Sequence, residues 1–432
     1  MMKQLLNRLA LFFFVAHLPL LHAQEAATLL PKPPSFSKSI ADEQAGGNPS
    51  LLHLERNCLN LPSLNLDVNN NAFSFSRMVV AITGGNYLSF RNILPLALPN
   101  NELNLRFNIP TVGFSKGFGN WAIGVHHALR SYVSIAANQN LLQLLGKGNA
   151  QFIGQTIDIQ GNMYAAIYSE LGLSAAYKVH PNWTIGARLK KLNGVTGLFA
   201  TGNGTLLTDT AHYQLKMNNN YIVKTYGMTS NTSASSRFFS GNGGFSVDLG
   251  ATYADEKMTV SIGLEDMGSI GWSKNANNTS VTGQATYSGL QTNAFFQFDS
   301  LNSTFFKDTL KKVLHLTNNT DATTEALPFR ITANAFYRFA NGYEIGTNLY
   351  FDALHGINNY GIALVGMKQI TPIWKVGLRY SIRNNSFSNV GLQTNMNFKK
   401  VHIFASTDNM ITALSAMSAK QAAVRIGINV LF

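Results

Sequence analysis

The chain contains one cysteine, Cys58, so no internal disulfide can staple it. Charge is sparse: Asp, Glu, Lys and Arg make up 12% of the 432 residues, about half the share in an ordinary soluble domain. After residue 24 no apolar run reaches the ~18 residues that mark a membrane-crossing helix. His-Glu-x-x-His and phosphate-loop patterns do not occur. These absences exclude a disulfide scaffold and a helical membrane protein, and they remove the local marks of zinc proteases and of phosphate-loop nucleotide enzymes. A hydrolase assembled from Ser, His and an acid on separate strands stays open, with ten histidines from which to build it. Two adjacent pairs are poor candidates, because neighbours on a strand face opposite ways. By that geometry His126-His127 cannot share a metal without distortion, and Glu265-Asp266 cannot act as a paired acid and base. The chain reads as a non-enzyme, and no cofactor is expected.

What is present begins with export. MMKQLLNRLALFFFVAHLPLLHAQ carries Lys3 and Arg8 ahead of and at the start of an apolar run from Leu9 to Leu21, with Ala23 before Gln24. That order of charge, apolar core and small residue is a secretory signal peptide, residues 1–23. An anchor would need ~20 apolar residues, and this run is shorter and contains His17 and Pro19. No cysteine stands at the cut, so a lipoprotein is not expected. An exported chain with little charge, 11% aromatics, 36 glycines and average hydropathy fits one class, a β-barrel of the outer membrane, apolar only at every second residue.

Counting along the chain supports that class. FRITANAFYRF places Phe329, Ile331, Ala333, Ala335, Tyr337 and Phe339 on one face and Arg330, Thr332, Asn334, Phe336 and Arg338 on the other. A tight turn at Ala340-Asn341-Gly342 leads to a second alternating run from Tyr343 to Asp352. GFSVDLGATYADEKMTVSIGLED repeats the form around Asp255 to Lys257. Similar short connections fall at Lys116 to Asn120, His180 to Asn182, Gln369 to Pro372 and Lys399-Lys400. Between them lie longer connections, 131–165 with a helix at LLQLLGK (141–147), 193–243, and 267–327 with a helix at KDTLKKVLHL (307–316). After residue 341 the loops shorten to 353–358, 384–387 and 409–422. Short turns on the periplasmic side and long loops outside are the asymmetry of these barrels. With a first strand somewhere in 62–80 the count is 14. The alternating pieces YIVKTYGM and SVTGQATYSGL are either extensions above the membrane or another pair of spans, so the expectation is an all-β, transmembrane antiparallel barrel of 14 to 16 strands.

The last strand is read as an assembly signal. Val424, Ile426, Ile428, Val430 and Phe432 form an apolar face ending on an aromatic residue, with Arg425, Gly427, Asn429 and Leu431 between. Such an end is expected to close the sheet against the first strand and to be read by the outer-membrane assembly machinery. The inner parity carries glycines, Gly172, Gly186, Gly250, Gly263, Gly346, Gly377, Gly391 and Gly427, a pattern that curvature or a close neighbour explains. Glu170, Arg188, Asp248, Glu265, Arg330, Arg338, Glu344 and Arg379 share that parity. They are expected to face the lumen, either pairing and hydrating there or forming a polar track for a ligand.

GFSVDLGATY, a second strand ending in LEDMGSIGW, and TYSGL downstream resemble an uncharacterised family of exported barrels of Bacteroidetes-type bacteria, and more distantly the FadL-like long-chain fatty acid transporters. NPSLL (48–52), LLQLLGKGNAQFIG (141–154) and GARLKKLNG (186–194) add to the likeness, although Ser50 stands where that pattern prefers Ala. The resemblance implies a 14-stranded barrel, residues 62–432, with the N-terminal segment, residues 24–61, folded into the lumen as a plug. It also implies passage of a small hydrophobic or amphipathic solute across the outer membrane. The alternative is a structural or interaction barrel of an envelope complex for secretion or surface motility, binding through its long loops. The net charge of +12 before cleavage is scattered, and export argues against nucleic acid. Basic residues beside the membrane are expected to meet anionic lipopolysaccharide and lipid.

Overall fold

The computed structural model describes residues 47–54, 57–72, 94–227, 241–288, 316–354, 357–384, 386–410 and 420–432. The expected signal peptide, residues 1–23, and nearly all of the expected helix at 307–316 lie outside the described residues. The strands, in chain order, are β1 (Cys58–Asn60), β2 (Leu64–Asn70), β3 (Asn100–Phe118), β4 (Trp121–Asn138), β5 (Thr156–His180), β6 (Trp183–Asp209), β7 (Gln214–Tyr226), β8 (Asn242–Ala254), β9 (Met258–Trp272) and β10 (Asn277–Tyr287). They continue with β11 (Thr317–Asn319), β12 (Thr323–Ala326), β13 (Phe329–Arg338), β14 (Tyr343–Leu354), β15 (Ile357–Thr371), β16 (Trp374–Arg383), β17 (Ser386–Phe398), β18 (Val401–Thr407) and β19 (Gln421–Leu431).

Fourteen of these close a single antiparallel ring, β2–β3–β4–β5–β6–β8–β9–β13–β14–β15–β16–β17–β18–β19, and β19 pairs back onto β2 from Gln421↔Asn69 to Ile426↔Leu64. The first wall strand is interrupted at Leu61-Pro62-Ser63, where proline offers no backbone donor: β2 follows this break, and β1, which precedes it, fills the gap between β19 and β3 at the turn end. It thus starts at Cys58, slightly earlier than the stretch 62–80 in which it was sought. The connections 119–120, 181–182, 255–257, 339–342, 372–373 and 399–400 make one rim of tight turns. At the Asn341-Gly342 turn the glycine takes φ +77°, a conformation that costs it nothing.

The outer surface follows from the period-2 pattern. Ile185, Leu189, Leu249, Ile262, Leu364 and Leu378 project outward and are exposed, as lipid-facing residues are. Beside the turns stands a belt of exposed aromatics, among them Phe118, Trp121, Trp183, Tyr343, Trp374 and Phe398. A second belt includes Phe245, Phe351, Tyr360 and Phe387. From Tyr343 to Phe351 is eight residues, roughly 27 Å of strand. Tilted by ~40°, that stretch spans about 20 Å, close to the apolar band of a membrane barrel.

Strands β5 and β6, 25 and 27 residues long, run far past the ~10 residues a tilted span requires. The expected loops 131–165 and 193–243 are therefore largely strand. Above the outer belt β6 pairs β7, β7 pairs β10 and β10 pairs β11, forming a flange outside the membrane layer. YIVKTYGM and SVTGQATYSGL thus contribute to extensions, and the ring stays at 14. The expected helix at 141–147 is present as α1 (Gln139–Lys147), capped by Asn138, whose side chain accepts from the Leu141 N–H.

Candidate functional site

Alternation that sends apolar residues to lipid sends their neighbours into the lumen, and a buried charge there needs a partner. On the wall β4–β5–β6–β8–β9 these charges form one network. Glu170 accepts from Arg130 at 2.9 Å and lies 3.1 Å from His126 Nε2. Asp248 takes Arg188 at 3.2 Å and Lys190 at 2.7 Å. Lys190, with no exposed side-chain surface, also donates to Asp266, and Arg130 stands 3.5 Å from the same carboxylate.

Asp266 corrects one expectation. Glu265 and Asp266 do not point to opposite faces; both are buried inside the wall. The β8–β9 register shifts between Val247 and Leu249, so that Asp248 faces two residues, and Asp266 adopts φ +62°. Asp is one of the few residues that accept this left-handed conformation readily, and the bulge turns its side chain inward. Its own N–H donates to Asp248 at 2.8 Å. His126 and His127 do diverge: His126 faces Glu170, while His127 Nδ1 meets the Thr111 hydroxyl at 2.7 Å.

The opposite wall holds a second network. Arg330 grips Asp352 with two donors, at 2.6 and 2.9 Å. Arg383 reaches both oxygens of Asp67 at 3.1 Å and Asp408 at 2.6 Å, and Arg379 donates to Asp408 at 2.8 Å and to Asn348 at 2.7 Å. Near the turn rim Glu344 receives Arg338 at 3.1 Å and Lys375 at 3.0 Å. Glu265 lies between the walls, taking a hydrogen bond from Thr332 at 3.3 Å and facing Arg330 across the β9–β13 pair. The eight charges picked out by parity are thus divided among two networks, one pair near the rim, and Glu265 between them. Lys190, Asp352 and Arg383 were missed although they share the parity of Arg188, Glu344 and Arg379. For Asp266 no sequence signal existed, because the bulge hides it.

Three further features complete the lumen. Between the networks is a cavity of about 160 Å³ lined on one side by Arg130, Tyr132, Tyr168 and Asp266 and on the other by Arg106, Tyr350, Arg379, Arg383 and Arg425. Tyr132 and Tyr168 also belong to an apolar cluster with Phe199, Tyr226, Ile270, Trp272 and Leu327, in which Phe199 meets Trp272 edge-on at 5.6 Å. Finally, residues 47–54 lie against the inner wall, where the Gly47 carbonyl accepts from Arg188 at 2.7 Å, Asn48 donates to the Ile262 carbonyl at 2.8 Å, and Ser50 meets Thr252 at 2.7 Å. A Cβ at Gly186 would come within 2.4 Å of the Ser50 nitrogen, and one at Gly250 within 1.8 Å of Asn48 Oδ1, so these glycines form the seat of the segment. Among the described residues no His, Cys, Asp and Glu side chains group as a metal site.

With this geometry in hand, comparison with known proteins places the chain: residues 49–408 match the Family of unknown function (DUF5723), and the chain belongs to it. No curated protein matches. Among solved structures the chain is similar to the toluene transporter TbuX of Ralstonia pickettii, at 11% identity over 91% of this chain and 93% of that one, TM-score 0.45. It is similar to the toluene transporter TodX of Pseudomonas putida (P. putida), at 9% identity over 88% and 90%, TM-score 0.43. A FadL homologue of Pseudomonas aeruginosa matches at 10% identity over 93% and 92%, TM-score 0.42.

Proposed function

We propose that the protein is an integral outer-membrane barrel that passes a small amphipathic or hydrophobic solute through its lumen, with the N-terminal segment as the plug. The observation that carries the proposal is the meeting of two surfaces inside a closed wall. Tyr132 and Tyr168 belong both to the aromatic cluster and to the arginine-lined cavity, so a solute with an apolar body and a polar end finds both environments side by side. In this reading Glu170, Arg188, Asp248, Glu265, Arg330, Arg338, Glu344 and Arg379 line the polar track. Val424, Ile426, Ile428, Val430 and Phe432 serve assembly. Residues 47–54 hold the plug on its glycine seat. Deleting residues 24–54, which leaves β1 intact, is expected to raise permeability in a liposome swelling assay; unchanged swelling with a correctly folded barrel sinks the reading.

The flange favours a second use, as an interaction barrel of an envelope complex. It projects beyond the membrane layer, and Tyr213 at the β6–β7 tip is 87% exposed, a placement suited to a partner. Replacing residues 205–218 by a short turn is expected to release a co-purifying partner, and a clean monomer from the parent protein in mild detergent counts against this use.

A further inference from the structure

We infer that the lumen holds a bound oxyanion of one negative charge between Arg106 and Arg425. Five arginines face the cavity from the strands around β2, β3 and β13 to β19: Arg106, Arg330, Arg379, Arg383 and Arg425. Their carboxylates are Asp67, Asp352, Asp408 and, across the β9–β13 pair, Glu265. One positive charge is left over among the described residues.

The geometry locates the surplus. Asp352 is held by both donors of Arg330, and Asp67 and Asp408 are held by Arg383 and Arg379. Arg106 comes no nearer to a carboxylate than 3.6 Å, at Asp352, and its buried Nε and Nη2 make no hydrogen bond. Arg425 lines the same cavity and makes no hydrogen bond or close ion pair among the described residues; the carboxylate it acts on, from a distance, is Asp408, which Arg383 and Arg379 already hold. The two arginines flank β2, with Arg106 opposite Asp67 and Arg425 opposite Asn65. By ordinary strand spacing and rise their Cα atoms are about 12 Å apart, a gap that two extended side chains span with a small anion between them. The side-chain oxygen of Asn65, buried and without a partner, lies on the strand between them.

A guanidinium is a fork of fixed donors matched to an oxyanion, and leaving one uncompensated in a protein interior is strongly destabilising. Two forks with one surplus charge fit a carboxylate or an inorganic monoanion better than a cation or a neutral solute. The cavity of about 160 Å³ has room for such a head group and some waters, a water's share of liquid being ≈ 30 Å³. The inference stands apart from passage, since an anion can be held without being conducted.

The test is thermal unfolding of the whole mature protein in a non-ionic detergent at constant ionic strength, with chloride replaced stepwise by acetate or octanoate. A saturable rise in the unfolding midpoint is expected. Equal response to both identifies a free anion, and a response at about tenfold lower octanoate concentration identifies the head of an amphipathic solute. Arg106→Gln and Arg425→Gln are each expected to weaken the response about tenfold. Because either variant can fold poorly for other reasons, Asn65→Asp serves as the independent arm: it places a carboxylate between the two arginines, so it is expected to raise the midpoint in chloride and to abolish the response. Flat midpoints in both anions, or a lower midpoint for Asn65→Asp, overturn the inference. Neither result bears on liposome swelling, so failure here is distinguishable from failure of the passage reading.

Discussion

Lys190→Met isolates what the luminal charges contribute. Methionine preserves most of the side chain's length and apolar stem, so the change removes a charge rather than volume. Lys190 has no exposed surface and serves two carboxylates, Asp248 at 2.7 Å and Asp266. Removing one partner of a buried pair costs about 3–5 kcal/mol, because the remaining charge stays buried. In this wall Arg188 still stands 3.2 Å from Asp248 and Arg130 3.5 Å from Asp266, which puts the expected loss at the lower end. About 3 kcal/mol is a factor of roughly 150 in the folding equilibrium. Urea unfolding in short-chain phosphatidylcholine vesicles, followed by the fluorescence of the four tryptophans, measures it. Lys191→Met is the control, since Lys191 is exposed on the outer face and its replacement is expected to stay within about 0.5 kcal/mol. Adding Asp266→Asn to Lys190→Met is expected to recover much of the loss. If Lys190→Met and Lys191→Met unfold alike, the buried network contributes nothing, and the lumen is not held together by its paired charges.

Other perturbations test other parts. In a Cys58→Ser background Ser50→Cys, at a fully buried position, is expected to resist maleimide, and adding Gly250→Val is expected to raise labelling about tenfold or more by opening the seat; unchanged labelling refutes the seat. The ring of Phe432 stacks on Phe114 at 5.9 Å and its N–H donates to the Asn57 carbonyl at 3.0 Å. Phe432→Ala is therefore expected to cost about 1 kcal/mol and to reduce the fraction that assembles, read as the heat-modifiable band on a gel. At the β6–β7 tip, outside the membrane, hydrogen bonds from Lys216 and His212 hold the Asp209 carboxyl below the usual aspartate range. A depressed carboxylate stabilises above its unfolded pKa, and that contribution is lost as pH falls through the folded value, so the clamp should outlast ordinary aspartates in acid. In Lys216→Ala the carbon-13 titration of Asp209 is expected to move back toward the ordinary midpoint.

The wall was legible wherever one face meets lipid. The run from Phe329 and its partner from Tyr343 are β13 and β14 within a residue or two, because lipid on one side and polar lumen on the other impose a strict period of two. Past the outer belt both faces meet water, and stretches such as YIVKTY and SVTGQATY lose the contrast, so the lengths of β5 to β7 and β10 were hidden. Inside, parity identified which charges face the lumen but not their partners. Arg383 and Asp67 lie 316 residues apart, and only closure of the ring through β19 and β2 brings them together. Pro62 divides the first strand, and the bulge at Asp266 breaks parity; neither leaves a periodic trace.

The luminal glycines carry two explanations that the structure now makes separable. Curvature or a close neighbour were the two readings, and several of these residues have a specific neighbour lying over them: the ring of Phe336 over Gly346, Phe404 over Gly427 and the thioether chain of Met367 over Gly377. A Cβ at Gly346 would come within 2.1 Å of the Phe336 ring, far inside van der Waals contact, so Gly346→Ala must push the ring aside at about 1–3 kcal/mol. The two readings separate in a double-mutant cycle. If curvature is what demands the glycine, Gly346→Ala costs the same whether residue 336 is Phe or, in Phe336→Ala, a methyl group. If the ring demands it, most of the cost disappears in the Phe336→Ala background, and the coupling energy exceeds about 1 kcal/mol. Unfolding in lipid vesicles reads all four corners of the cycle. A coupling near zero would return the glycines to curvature and leave the side chains across them as passengers.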